Sequence, residues 1–231
     1  MKPVRKDPIV AIDGPAGSGK STVARALASR LGFIHVDSGA LYRAVALLAS
    51  DQKIPFDSEP EIEQAMKAAH IEFRSLDGGN RIFLNGTDIS DRIRTEEISR
   101  GASKVSALAA VRAGLLGLQR SLGGKGGSVL EGRDIGTVIF PDAEVKVFLN
   151  ATLEERARRR ALELRARGVD AKDAEVLAEM KARDLQDSTR AHAPLMKSED
   201  AVEVDSTKID IETVITHLLG LVEQRKSMMR Q

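Results

Sequence analysis

The chain contains no cysteine. That absence excludes disulfides, thiolate zinc sites and cysteine nucleophiles together, and it fits a reducing cytosol. Aromatic residues make up only 3% of the sequence, so stacking platforms for single-stranded nucleic acid are not expected. The formal net charge is +1, which gives no global pull toward nucleic acid or a membrane surface. No run approaches the ~18 apolar residues of a membrane span. The stretch Met1-Lys2-Pro3-Val4-Arg5-Lys6-Asp7-Pro8 lacks the apolar segment of a secretory signal. His35, His70, His192 and His217 are scattered without metal-ligand spacing and read as ordinary surface or core residues. What remains is 231 residues, 42% hydrophobic and 30% charged. That describes a soluble, cytoplasmic globular protein, long enough to bury a sizeable core.

Within this composition one segment stands out. Gly14-Pro15-Ala16-Gly17-Ser18-Gly19-Lys20-Ser21 is a complete G-x-x-x-x-G-K-[ST] phosphate loop, directly behind the apolar run Ile9-Val10-Ala11-Ile12. The turn opens a helix whose residues Val23, Ala26, Leu27 and Leu31 recur at three to four positions. Glycines let the backbone bend until several N–H groups converge on phosphate oxygens. The helix N-terminus adds partial positive charge. Lys20 supplies a mobile full charge for the β- and γ-phosphates, and Ser21 offers a hydroxyl to Mg²⁺. The chain is therefore expected to bind a nucleoside triphosphate.

The runs Ile9–Ile12, Phe33–Val36, Ser128–Leu130, Val145–Leu149 and Ala201–Val204 read as buried strands. Helical patterns separate them: Lys20–Leu31, Gly39–Ala49, a long stretch from about Glu96 to Leu122, Thr152–Ala166, Asp173–Gln186 and Asp210–Lys226. This alternation predicts an α/β fold with a parallel five-stranded sheet flanked by helices. Ligands then gather at the carboxyl ends of the strands. Asp13, Asp37, Glu131 and Asp205 all sit at or just past such ends, and as a set they predict a shared rim for a Mg²⁺-nucleotide.

Between about Pro55 and Arg94 the alternation fails. A short helix (Glu61–Ala69) leads into Ile71-Glu72-Phe73-Arg74, an Asp77-Gly78-Gly79-Asn80 turn, Arg81-Ile82-Phe83-Leu84, an Asn85-Gly86 turn and Thr87-Asp88-Ile89. This reads as a small antiparallel β meander. It is expected as an inserted subdomain over residues 55–94, on a core formed by residues 1–54 and 95–231. Gly123-Gly124-Lys125-Gly126-Gly127 reads as a flexible connection into the third core strand.

Phosphoryl transfer between two anions needs many cations, because catalysis is mostly positioning and charge neutralisation. Arginines stand at the points where such a fold would use them. Arg43 follows the second strand, and Arg133 lies in Glu131-Gly132-Arg133-Asp134 after the third. Between residues 156 and 167 there are six arginines against one acid, Glu163. Beside a phosphate loop this run reads as a phosphate-clamping lid over about 152–170. Arg183, Asp187 and Arg190 fall at i, i+4 and i+7, on one helix face if the helix extends that far. Two guanidiniums and a carboxylate suit a phosphate or base carbonyl together with an amine or sugar hydroxyl.

The motifs Asp37-Ser38-Gly39-Ala40-Leu41-Tyr42-Arg43, Ile93-Arg94-Thr95-Glu96 leading into Ala102-Ser103-Lys104-Val105-Ser106, Glu131-Gly132-Arg133-Asp134-Ile135-Gly136-Thr137-Val138-Ile139-Phe140-Pro141, and Arg183-x-x-x-Asp187-x-x-Arg190 followed by Ala193-Pro194-Leu195 resemble the bacterial cytidylate kinase family. The likeness runs from about Ile9 to Thr207. It implies the adenylate-kinase-like P-loop kinase fold, with the meander as a subdomain on the monophosphate-binding side. It implies transfer of the γ-phosphoryl of Mg-ATP to CMP or dCMP. By this resemblance Gly14, Pro15, Ala16, Gly17, Ser18, Gly19, Lys20, Ser21 and Thr22 hold ATP. Ser38, Arg43, Arg112, Arg133 and Asp134 contact the acceptor, Asp187 and Ser103 read its base or sugar, and Arg183 and Arg190 bridge toward the transferring phosphoryl. Lys20, Arg133, Asp134, Arg183 and Arg190 form the catalytic group. Arg156 and Arg160 belong to the lid, and Mg²⁺ enters with ATP beside Ser21. The expected partners are ATP and CMP or dCMP, with the chain a monomer that engages neither nucleic acid nor membrane.

Two departures from the family pattern matter. Relatives often carry a proline just before the Val-Arg pair, but here the stretch is Leu108-Ala109-Ala110-Val111-Arg112. Ser103 and Arg112 are nine residues apart, roughly 180° around a straight helix. They serve one pocket only if the helix bends or breaks between them. Glu131 also stands where some relatives have aspartate, which lengthens the carboxylate. Other small acceptors, such as UMP, AMP or a metabolite, stay open on sequence. Thr207-Lys208-Ile209-Asp210 fits the [NT]-K-x-D pattern with which switch GTPases read guanine. No D-x-x-G follows the third strand, however, and Asp210 reads more simply as the cap of the last helix.

Overall fold

A computed structural model of the chain describes residues 5–76 and 79–230. Asp77 and Gly78 of the expected Asp77-Gly78-Gly79-Asn80 turn lie outside the described residues, as do Met1–Val4 and Gln231. The chain divides into two compact units, Met1–His35 with Gly123–Gln231, and Val36–Leu122.

The expected parallel sheet is present. Strands β1 (Ile9–Asp13), β2 (Ile34–Asp37), β6 (Ser128–Gly132), β7 (Val145–Asn150) and β8 (Val202–Asp205) form a five-stranded sheet in the order β2-β6-β1-β7-β8. β1 is central and every one of its residues is buried, as a strand covered on both faces requires. It pairs in parallel with β6, Val10 opposite Val129, and with β7, Val10 opposite Val145. Helix α1 (Lys20–Leu31) and helix α8 (Ile211–Met229) pack Val23, Leu27, Ile215 and Leu218 against Val10, Ile12, Val147 and Leu149. Asp210 caps α8 by accepting the Thr213 N–H at 2.8 Å, which is the simpler of its two sequence readings. Helices α6 (Leu153–Ala166) and α7 (Asp173–Thr189) share a smaller core of Ala157, Ala161, Leu164, Val176 and Met180. α7 runs past the expected end at Gln186, so Asp187 is a helical residue and Arg190 is the C-cap.

In the second unit, α2 (Ser38–Asp51) is the central element and supplies Leu41, Val45 and Leu48 to the core. Asp37 caps it by accepting the Ala40 N–H at 3.0 Å. After α3 (Glu59–Lys67), strands β3 (Ile71–Leu76), β4 (Gly79–Leu84) and β5 (Thr87–Asp88) form the antiparallel meander, with Phe73 opposite Ile82 and Leu84 opposite Thr87. The insertion expected over residues 55–94 lies inside this unit.

One expected helix is two. The stretch from Glu96 to Leu122 is broken into α4 (Glu96–Val105) and α5 (Ala109–Gly123). Three side chains make the break that proline makes elsewhere. Ser106 Oγ donates back to the Ser103 carbonyl at 2.8 Å. Arg112 Nη1 donates to the Ser106 carbonyl at 3.1 Å. Glu59 Oε1 accepts the Ala110 N–H at 2.7 Å, satisfying one of the N–H groups that a new helix start leaves unbonded. Arg112 is thereby folded back onto the end of the helix that carries Ser103.

Among the described residues no helix is long and apolar enough to cross a membrane.

Candidate active site

The phosphate loop owes its position to β1 and to a close approach by β7. Gly14 has φ +149°, and a Cβ there would overlap the Leu149 carbonyl oxygen, so no other residue fits. Gly19 takes a left-handed conformation at φ 91° and starts α1. The next residue, Lys20, is 6% exposed. Its Nζ donates to the Pro15 carbonyl at 2.6 Å and reaches Ser18 Oγ at 3.3 Å. Burial pushes its pKa well down, and the nearby charge of Arg133 adds to the fall, against the pull of Glu131, Asp13 and Asp187. An ammonium in this state gains from any anion that arrives, because a phosphate restores what burial has taken away.

Ser21 Oγ donates to Glu131 Oε2 at 2.6 Å, and His35 Nε2 lies 3.0 Å from Glu131 Oε1. Asp13 turns the other way. Its carboxylate accepts the N–H groups of Ile135 and Gly136 at 2.8 and 2.7 Å. These residues begin a single turn of π-helix, Ile135–Ile139, directly after Arg133 and Asp134. The end of the phosphate-loop strand thus anchors the turn that directly follows both residues. Burial raises the Asp13 pKa to about 6, against the two N–H bonds that lower it.

The four acids expected to form a rim each have their own partners. Asp13 binds the π-turn backbone, Asp37 caps α2 and pairs with Arg43 at 2.6 Å, and Asp205 accepts the Thr207 N–H at 2.8 Å. Of the four, Glu131 alone is bonded to a phosphate-loop hydroxyl. For Asp37 and Asp205 the reason is local, since an acid at a strand end is captured by the N–H groups of the turn that follows, whereas Asp13 is captured by the turn after β6.

Arg133, Asp134, Arg183, Asp187 and Arg190 come together within the first unit. Arg133 Nε donates to Asp187 Oδ2 at 2.8 Å. Arg190 Nη2 lies 3.6 Å from Asp134 Oδ1, and Arg190 Nη1 lies 4.0 Å from Asp187 Oδ1. Arg190 is fixed from behind, where its Nε donates to the Ala193 carbonyl at 2.7 Å. Ala193 holds a left-handed φ of 50° immediately before Pro194, a strained conformation for a residue in that position. Burial pushes Asp187 up, but Arg133, Arg183 and Arg190 outweigh it and hold the carboxyl below its usual range.

The arginines expected in a lid divide by their contacts. Arg156 is 5% exposed and fully engaged in structure. It donates to the carbonyls of Ala151 and Ala16 at 2.9 and 3.1 Å and to Asp184 Oδ2 at 2.7 Å. Arg160 pairs with Glu163 at 2.9 Å nearer the surface. Arg159 donates to Ser206 Oγ at 3.1 Å, and Ser206 Oγ in turn donates to the Ser18 carbonyl at 3.1 Å.

Ser38, Arg43, Ser103 and Arg112 lie in the second unit. Ser38 Oγ donates to the buried Gln119 Oε1 at 2.6 Å. The Arg112 guanidinium stacks 5.5 Å from the centre of the Tyr42 ring. Sequence reasoning missed His35, Gln119, Glu59 and Asp184. Each is an ordinary polar residue outside any motif, and only its neighbours in space give it a task.

A parallel sheet with β1 at its centre, a phosphate loop on a buried lysine, and a cluster of arginines and aspartates beside it define a P-loop kinase. The cytidylate kinase family model matches residues 10–224. The cytidylate kinase of Geobacter sp. (strain M21) is 51% identical over 94% of this chain and 93% of its own length. That of Syntrophotalea carbinolica is 49% identical over 95% and 94%. The chain belongs to the cytidylate kinase family. A solved structure of an uncharacterised protein from Eubacterium ventriosum aligns with TM-score 0.50 at 15% identity, over 94% of this chain and 99% of that one, which shows a common fold.

Proposed function

We propose that this chain transfers the γ-phosphoryl group of Mg-ATP to CMP or dCMP, giving ADP and CDP or dCDP in pyrimidine nucleotide metabolism. The observation that carries the reading is the cluster of Arg133, Asp134, Arg183, Asp187 and Arg190, close enough to Lys20 that Arg133 and Asp187 both shift its pKa.

The roles follow from charge and position. The loop from Gly14 to Thr22 holds the ATP phosphates on backbone N–H groups, with Lys20 on the β- and γ-oxygens. Arg133 and Arg43 bind the acceptor phosphate, with Arg112. Asp187 and Ser103 read the base or sugar, with Ser38 and Asp134 completing the acceptor contacts. Arg183 and Arg190 neutralise charge on the phosphoryl in flight. No general base is required, because the nucleophile is a phosphate oxygen whose second pKa is ~6. The segment over 55–94 serves the monophosphate side, and the lid over about 152–170 closes over bound nucleotide. The chain acts as a cytoplasmic monomer.

The donors near the loop suit a hard divalent cation. They are oxygens, and the Ser21 hydroxyl is held by a carboxylate. Among the described residues no three His, Cys, Asp or Glu side chains could hold a metal by themselves. Mg²⁺ commonly binds through one or two protein groups plus substrate phosphates. Ser21 would be its protein ligand, and the ion would neutralise the β- and γ-oxygens.

The test is ADP release from Mg-ATP with CMP, dCMP, UMP, AMP, GMP and shikimate as separate acceptors. Strong turnover with CMP and dCMP is the expected result. Turnover with UMP alone or AMP alone would remove base reading from Asp187, and silence with every acceptor would defeat the proposal.

A further inference from the structure

Three side chains form a line of contacts from β2 to the phosphate loop. Ser21 Oγ donates to one oxygen of Glu131 at 2.6 Å, and His35 Nε2 meets the other at 3.0 Å. The Glu131 side chain is 4% exposed and that of His35 is 14% exposed. β2 and β6 are neighbours in the sheet, which sets the imidazole beside the carboxylate.

The terminal torsion of a glutamate is broad. A carboxylate bonded to Ser21 alone could rotate and carry the hydroxyl with it. A second donor on the opposite oxygen removes that freedom. The Ser21 proton then points at Glu131, and the hydroxyl lone pairs point away from it. Glutamate is one methylene longer than aspartate, and the extra reach lets one carboxylate meet both partners.

The geometry points to His35 as a positioning residue for the Mg²⁺ site: it locks Glu131, and through Glu131 it aims the lone pairs of Ser21 at the cation that accompanies the nucleotide. This rests on the metal role given above to Ser21. It requires the imidazole proton on Nε2, so that His35 donates to Glu131. Groups that orient a metal's ligands commonly change metal affinity by roughly 10–100-fold when removed. His35 acts one step further out, so about fivefold is expected.

The experiment is ADP binding by calorimetry, titrated over Mg²⁺ concentration and repeated in EDTA. For His35→Ala, the Mg²⁺ concentration giving half the binding enhancement should rise about fivefold, while ADP affinity in EDTA stays that of wild type. His35→Gln, which keeps a donor, should recover most of the loss. Glu131→Asp, too short to meet both partners, should resemble His35→Ala, and it decides the matter if His35→Ala fails to fold. Mg²⁺ dependence within twofold of wild type in the deciding variant would overturn the proposal. Wild-type ADP binding that is indifferent to Mg²⁺ would instead remove the metal role of Ser21, and this inference with it.

Discussion

Arg133 Nε donates to Asp187 Oδ2 at 2.8 Å, so two side chains assigned to the acceptor nucleotide hold each other. The pair is mostly buried, with side-chain exposures of 19% and 6%. Buried ions left unpaired are costly. The contact keeps the cluster assembled until an acceptor offers a phosphate to the arginine and a donor to the aspartate.

Arg133→Ala should therefore lower kcat/KM for CMP by roughly 100-fold or more, as loss of a charge-assisted contact in the transition state would. KM for ATP should stay near the wild-type value. Steady-state kinetics in both substrates check this, and acceptor kinetics within threefold of wild type would refute the assignment.

Lys20→Ala should cut turnover by roughly 100-fold or more without unfolding the protein. The ammonium is buried at a cost that the apo protein bears alone, so the apo melting temperature should hold or rise. A circular dichroism melt beside the activity assay separates lost chemistry from lost structure.

Asp13 and Asp187 predict opposite pH effects. Asp13 binds its proton more tightly folded than unfolded, so its contribution favours folding at low pH and is lost as pH rises from 3.8 through about 6. Asp187 is held below 3.8, so its contribution is present above that value and is lost on acidification through its folded pKa. Melting temperatures of wild type, Asp13→Asn and Asp187→Asn from pH 7 to 3 test both. Asp13→Asn should gain on wild type as pH rises through that window, and the deficit of Asp187→Asn should shrink below 3.8.

The broken helix supplies a double-mutant cycle. Glu59 satisfies the Ala110 N–H, and a proline at 110 would have no N–H to satisfy. Glu59→Ala should cost about 1 kcal/mol in the natural background and close to nothing in the Ala110→Pro background. Denaturant unfolding of the four proteins measures the difference, and equal costs in both backgrounds would show that Glu59 does not cap the break.

Arg156 and Arg160 should separate in stability. Arg156→Ala removes one buried and two partly buried contacts and strands Asp184, at about 2 kcal/mol after allowing for the partial exposure of Asp184. Arg160→Ala should fall within ~0.5 kcal/mol of wild type. Equal losses in thermal melts would refute the division.

Much of this molecule could be read from the sequence because its signals are local. The phosphate loop is a contiguous motif, the central strand β1 is a short apolar run, and Arg183 and Asp187 lie on one helix with Arg190 at its C-cap. The rest is relational. No proline in Glu96–Leu122 marks the break, since its agents are Glu59 from another helix, the Ser106 hydroxyl and a backward reach by Arg112. The four acids look alike in sequence, but backbone N–H groups claim three of them. The π-helical turn after Asp134 depends on the two oxygens of Asp13, 121 positions upstream of Asp134 in the numbering. His35 draws its position from the neighbouring strand.

The order of synthesis gives the sheet one more consequence. β1 is made before Val36–Leu122, but both of its neighbours, β6 and β7, begin after residue 127. Between the two pieces of the unit that holds the phosphate loop lie the 87 residues from 36 to 122, on the order of ten seconds of translation. Val36–Leu122 is contiguous and carries its own core, so it leaves the ribosome whole while the phosphate loop still lacks the strands that shape it. The phosphate-loop unit closes only after Val36–Leu122 has been made, and a chain truncated before β7 would carry the complete motif without the strands that hold it.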